Sequence, residues 1–106
     1  MIHDLTKASL ATLVEKAEKP TVIKVFAPWC GPCIQMKPAF HELSERLGEK
    51  YNFVQLNVDE ERDLAIQYGI TTIPTLLFIK NNQIQGREVG LLGKEALEKK
   101  LQEYLG

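Results

Sequence analysis

Two rhythms of apolar and polar positions alternate along this chain of 106 residues. Met1 to Leu5 is short and apolar enough for an edge strand. Leu10, Leu13, Val14 and Ala17 then recur at helical spacing, with Lys7, Glu15, Lys16 and Glu18 on the wet side. Thr6 or Ser9 offers a cap for that helix and Pro20 a stop. Thr21 to Ala27 is nearly all apolar and β-branched, the pattern of a central strand covered on both faces; Lys24 is its exception. Ile34 to Gly48 reads as a helix whose apolar stripe is Ile34, Met36, Phe40, Leu43 and Leu47. Pro38 should bend it and Gly48 end it.

Tyr51 to Val58 reads as a second core strand, parallel to the first because a helix connects them. Asp59-Glu60-Glu61 opens a further helix with acidic residues at its positive end. Leu64, Ala65 and Tyr68 face inward there, and Gly69 terminates it. Ile70 to Pro74 is a loop, followed by a strand over Thr75–Lys80. Asn81-Asn82 signals a tight turn and Gln83 to Val89 the return strand of a hairpin. After Gly90, Lys94 to Leu105 forms a closing helix with Ala96, Leu97, Leu101 and Tyr104 at helical intervals. The sum is an α/β chain in the order β-α-β-α-β-α-β-β-α. Right-handed crossovers make this a mixed sheet with helices on both faces.

Composition narrows the reading. With 44% hydrophobic residues the chain can bury a core, and its length suits one domain, residues 1–106. The net charge of −1 has no long runs of one sign, so nothing points to nucleic acid or an anionic membrane. No apolar run approaches the roughly 18 residues of a membrane span. The N-terminus has no signal-peptide pattern. A lone pair of cysteines fits a reducing cytoplasm better than a stapled secreted fold.

The chemistry collects in Trp29-Cys30-Gly31-Pro32-Cys33, which holds both cysteines and the only tryptophan. It lies where the first central strand hands over to a helix. Residues three apart share a helix face at roughly 5–6 Å between Cβ atoms. A disulfide needs Cα atoms roughly 4.4–6.8 Å apart, so this pair can close and open with little backbone movement. Cys30 falls at the helix N-terminus, where free N–H groups and the macrodipole favour a thiolate. Cys33 lies one turn further in. The roles that follow are Cys30 attacking a substrate disulfide and Cys33 resolving the mixed disulfide. An inert bridge over two residues would constrain little of the unfolded chain. Zinc wants four ligands, and His3 and His41 are not spaced as partners for the pair.

Those residues resemble the thioredoxin family over essentially the whole chain, together with Pro38, Val58-Asp59, Tyr68-Gly69-Ile70, Ile73-Pro74-Thr75 and Val89-Gly90. The resemblance implies the thioredoxin fold and a cis Ile73–Pro74 bond. It implies a flat apolar groove for protein substrates around Cys30, made by Trp29, Gly31, Pro32, Ile73, Pro74, Gly90 and Leu91. It further implies reduction of protein disulfides with no cofactor and no metal, Pro74 keeping metals off the dithiol. Recycling by a thioredoxin reductase, a part in electron transport and action as a monomer complete that expectation.

Two departures stand out. Lys24 occupies the position where family members usually carry a buried aspartate, and Gln55 replaces the usual lysine on the neighbouring strand. Lys24 is therefore a possible cation favouring the Cys30 or Cys33 thiolate, or else a stem passing through the core with its ammonium in water. Phe26 stands where many members have tryptophan. The rival readings are an oxidase or isomerase, whose kind usually has histidine between the cysteines, and a binding module with idle redox chemistry.

Overall fold

The computed structural model describes residues 1–106. Strand β1 spans Ile2–Asp4, β2 Thr21–Phe26, β3 Asn52–Asn57, β4 Thr75–Lys80 and β5 Gln83–Val89. Helix α1 spans Gly31–Leu47, α2 Arg62–Gln67 and α3 Lys94–Leu105. The strands form one sheet in the order β1-β3-β2-β4-β5. The pairs β1–β3 and β2–β3 are parallel, and β2–β4 and β4–β5 are antiparallel. This is the mixed α/β sheet and the thioredoxin fold expected above.

Strand β2 is the centre of the sheet. Successive side chains on a strand point to opposite faces, so β2 serves two cores. Val22 joins Met36, Phe40 and Leu43 of α1 and Leu97, Leu101 and Leu105 of α3. Ile23 and Val25 join Val14, Val54, Leu64 and Leu77 on the other face. Phe40, Phe53 and Phe78 are fully buried. Each such ring contributes roughly 1.5–3 kcal/mol by leaving water, and Phe40 meets Phe53 edge-on at 5.3 Å between ring centres.

Several local expectations are corrected. The helix expected before Pro20 is only a π-helical turn over Ala11–Glu15, closed by the Lys16 N–H donating to the Ala11 carbonyl. Thr6 and Ser9 do not cap it; each backbone N–H donates to the other's hydroxyl. Ile34 is outside the stripe of α1 and 54% exposed, because Cys33, Met36, Phe40 and Leu43 define the buried face. Ala96 is likewise exposed, and the buried line of α3 is Leu97, Leu101 and Leu105.

Helix α1 runs through Pro38 and stops at Gly48, which stays right-handed at φ −64° rather than adopting the left-handed cap. Lys19 Nζ donates to the Gly48 carbonyl instead, at 2.9 Å. Asn81 and Asn82 take φ of 54° and 59°, the paired left-handed geometry that a two-residue hairpin turn needs. The acidic Asp59, Glu60 and Glu61 precede α2 rather than forming its first turn.

Gly86 faces Phe78 across the hairpin, and the Tyr104 ring lies directly over it. That ring is held 5.0 Å from Phe78, and its hydroxyl donates to Glu88 at 2.7 Å. A Cβ at Gly86 would collide with the ring. Gly86→Ala is therefore expected to lower unfolding stability by roughly 1–3 kcal/mol, read from the urea midpoint. An unchanged midpoint would show that Tyr104 swings aside without cost.

Candidate functional site

Strand β2 delivers the chain to α1 through Ala27-Pro28-Trp29, and Cys30 is the residue at which extended backbone becomes helix. Its φ and ψ are −85° and 115°, and its Sγ accepts the Cys33 N–H at 3.3 Å. A sulfur in the N-cap position thus meets one of the unpaired N–H groups of the first turn. Pro32 fits the same turn because its missing N–H would have had no partner there.

Cys30 and Cys33 form a disulfide, with Cα atoms 5.2 Å apart. Both are buried, Cys30 at 7% and Cys33 at 2% exposure, so the sulfur nearer the surface is that of Cys30. They cluster with Ala27, and Phe26, Val58 and Ile73 pack against them.

Around this pair the residues expected to line a groove divide into groups. Gly31 and Pro32 are exposed, and a Cβ at Gly31 would meet nothing. Trp29 is 71% exposed, yet its indole N–H donates to Asp59 at 2.9 Å. Ile73 touches the cysteine cluster, and the Ile73–Pro74 bond is cis. The Pro74 carbonyl accepts the Gly90 N–H at 2.9 Å, which brings the turn after β5 to the same end of the sheet. Leu91 follows, half-exposed. The backbone of Ile73 has no main-chain partner, so its N–H and C=O are free for an extended peptide. The Trp29–Asp59 contact is the part of the site that spacing does not signal: the sequence offers Asp59 only as a helix opener and within the Val58-Asp59 pair that carries the resemblance.

Lys24 lies beneath this site. Its Cα partners are Gln55 on β3 and Leu76 on β4, and the residue is only 2% exposed. Its ammonium sits 5.2 Å from the Phe26 ring centre and 5.1 Å from that of Phe40, over both faces. The six ion pairs of the protein all involve other residues. The Gln55 amide donates to Asp4 at 2.8 Å. Burial, and after it the Lys37 charge, lowers the Lys24 pKa from 10.5 to about 8. No enclosed side-chain nitrogen or oxygen lacks a partner, so Lys24 Nζ keeps a narrow opening to solvent. The largest surface hollow, about 450 Å³ along the outer side of α1, includes neither cysteine.

The family model described as thioredoxin matches residues 1–103. Thioredoxin from Bacillus subtilis is 37% identical over 91 residues, 86% of this chain and 88% of that protein. Thioredoxin from Chlorobaculum thiosulfatiphilum is 35% identical over 103 residues, 97% of this chain and 95% of that protein. Thioredoxin from Synechocystis is 39% identical over 101 residues, 95% of this chain and 94% of that protein.

The lowered pKa of Lys24 makes it a stability liability with a defined pH range. An ordinary lysine in the unfolded chain stays charged up to about pH 10.4. Below about 8 both states carry the ammonium and only the folded one bears its desolvation. Stability therefore rises as pH climbs from about 8 toward 10.5. Lys24→Met is expected to stabilise the oxidised protein by roughly 2 kcal/mol near neutral pH, a figure discounted because solvent reaches the ammonium. That gain should shrink at higher pH. Urea denaturation of both proteins at two pH values checks it, and equal stability at neutral pH would contradict it.

Proposed function

The chain belongs to the thioredoxin family and is a protein-disulfide reductase, and from that premise we propose a division of labour between its two sulfurs. Cys30 attacks the substrate disulfide and Cys33 resolves the mixed disulfide. The observation that carries this is the position of Cys30 as the N-cap of α1, less buried than Cys33 and accepting a helix N–H. A developing negative charge on its sulfur is favoured there by the N–H groups and the helix dipole. Attack by the Cys30 thiolate forms one new S–S bond as the substrate's own S–S bond breaks and releases a thiolate. Attack by Cys33 on Cys30 then forms the internal disulfide and releases the second substrate sulfur. Two electrons pass to the substrate, and the cysteine pair is left oxidised.

The substrate is a disulfide in a protein. Its chain lies along Trp29, Gly31, Pro32, Ile73, Pro74, Gly90 and Leu91 and pairs with the free backbone of Ile73 in the manner of strand addition. Support comes from the exposed apolar Trp29 and Leu91 beside a backbone with unused hydrogen-bonding groups. A thioredoxin reductase returns the pair to the dithiol, which gives the protein a place in electron transport and cell redox homeostasis. Residues 1–106 act as a single domain and as a monomer in the cytoplasm, a compartment whose reducing poise suits a lone dithiol. No helix is long and apolar enough to cross a membrane.

Insulin reduction with dithiothreitol as the electron source tests the roles. Cys30→Ser is expected to reduce turnover at least 1,000-fold, on the order of what losing a covalent nucleophile costs. Cys33→Ser should stall as a covalent adduct with the substrate, seen as a higher-mass species that excess reductant dissolves. Turnover by Cys33→Ser without an adduct would reverse the assignment.

A further inference from the structure

Strand β2 and helix α1 flank a half-open cavity of about 280 Å³ beside the active-site turn. Lys24, Cys33, Phe26, Ala27 and Lys37 are among its lining residues, and Cys30 is not. The volume exceeds that of one water, whose share of the liquid is about 30 Å³. A buried charge is normally paired, yet no carboxylate lines this cavity or the one on the other side of Lys24.

Helix α1 presents the Cys33 sulfur, Lys37 and His41, and the N-terminal segment presents Met1. Strand β3 presents the neutral Gln55, whose amide is committed to Asp4 of β1. Strand β4 presents Leu76, and the rings of Phe26 and Phe40 close the remaining sides. The group lining the cavity that can become an anion is the Cys33 thiol, once the disulfide is open.

We infer that Lys24 is the counter-ion of the resolving thiolate: the Cys33 proton passes to Lys24 Nζ, and the ammonium so formed holds the Cys33 thiolate ready to attack. This rests on the assignment of Cys33 as the resolving sulfur. In the mixed disulfide, Cys33 S–H gives its proton to the amine. The thiolate then attacks Cys30 Sγ, the Cys30–substrate S–S bond breaks, and its electron pair leaves on the substrate sulfur, which takes a proton from solvent. Lys24 loses its proton to solvent through the cavity mouth, and no further oxidant or reductant is needed. A lysine lowered to about 8 is still mostly ammonium near pH 7, and the minority of molecules with the free amine can take the proton. Lys24 acts through Cys33 and is a positioning residue.

Stopped-flow mixing of the reduced protein with 5,5′-dithiobis(2-nitrobenzoate) tests it. The first thionitrobenzoate is released as Cys30 attacks, the second as Cys33 resolves. Lys24→Met is expected to leave the first phase intact and to slow the second at least tenfold near pH 7, with the difference vanishing toward pH 10. Lys24→Arg, whose guanidinium keeps a cation but cannot accept the Cys33 proton, should slow the second phase near pH 7 relative to the wild type, by less than Lys24→Met does. A Lys24→Met second phase equal to the wild type at every pH would overturn the inference. So would slowing by one constant factor across the range, which is the signature of a merely structural role, or a folded arginine variant as slow as methionine or as fast as the wild type. Where arginine does not fit, the pH profile of Lys24→Met decides alone. Cys33→Ser should lack the second phase altogether; if it keeps one, the role of Cys33 fails, separately from that of Lys24.

Discussion

The constraint on which this structure hangs is the double pairing of β2. It is hydrogen-bonded in parallel to β3 and antiparallel to β4 over nearly its whole length, and five of its six residues are buried. A strand held on both edges and covered on both faces cannot slip, since a slip of one residue would turn every side chain to the wrong core. Its end is therefore fixed in space. Because α1 starts only five residues after Phe26, the start of the helix is fixed as well. The two sulfurs inherit their position from that chain of constraints. So does Lys24, which belongs to the same strand and points to the same face as Val22.

What could be read from the sequence follows the same logic. Strands β2 and β4 announced themselves as apolar runs because they are covered on both sides, and α1 and α3 as periodic patterns because each has one covered side. The N-terminal segment had the helical period too, but the period expresses which residues face the core, not how many turns form. Only Val14 of that segment is deeply buried, and the Thr21 hydroxyl donates to the Leu13 carbonyl at 3.0 Å, pulling the chain toward the sheet. Tertiary contacts thus replaced a helix with a π-helical turn. Ile34 was misassigned for a smaller reason: on α1 the deepest line passes through Cys33, and the residue next to it is turned about 100° away.

The site was half legible. Two cysteines three apart, before a helix and after a strand, carry their chemistry in local geometry, and local geometry is what a sequence encodes best. The cis bond before Pro74 was expected from resemblance, since spacing alone favours trans. The hydrogen bond from Trp29 to Asp59 joins residues 30 positions apart. The cavity joining Lys24 to Cys33 arises only when α1 folds back over β2. Neither has a local signature, and each depends on packing between elements.

A lysine buried without a carboxylate works against the fold, and its persistence at the middle of the central strand calls for a physical use. Desolvation acts with opposite sign on the two groups that share the cavity. It destabilises an ammonium and so lowers an amine's pKa; it destabilises a thiolate and so raises a thiol's. An ordinary thiol near 8.5 and an ordinary lysine near 10.4 are separated by a gap that burial narrows from the lysine side, to about 8 here. A lysine so lowered can take the proton of the thiol that shares its cavity. The pair formed by that exchange, thiolate beside ammonium, is better solvated by its own partner than either ion would be alone. An aspartate could take the thiol's proton only by losing its own charge. A lysine gains charge in the same step, next to the anion it creates, and so couples the opening of the disulfide to its own protonation.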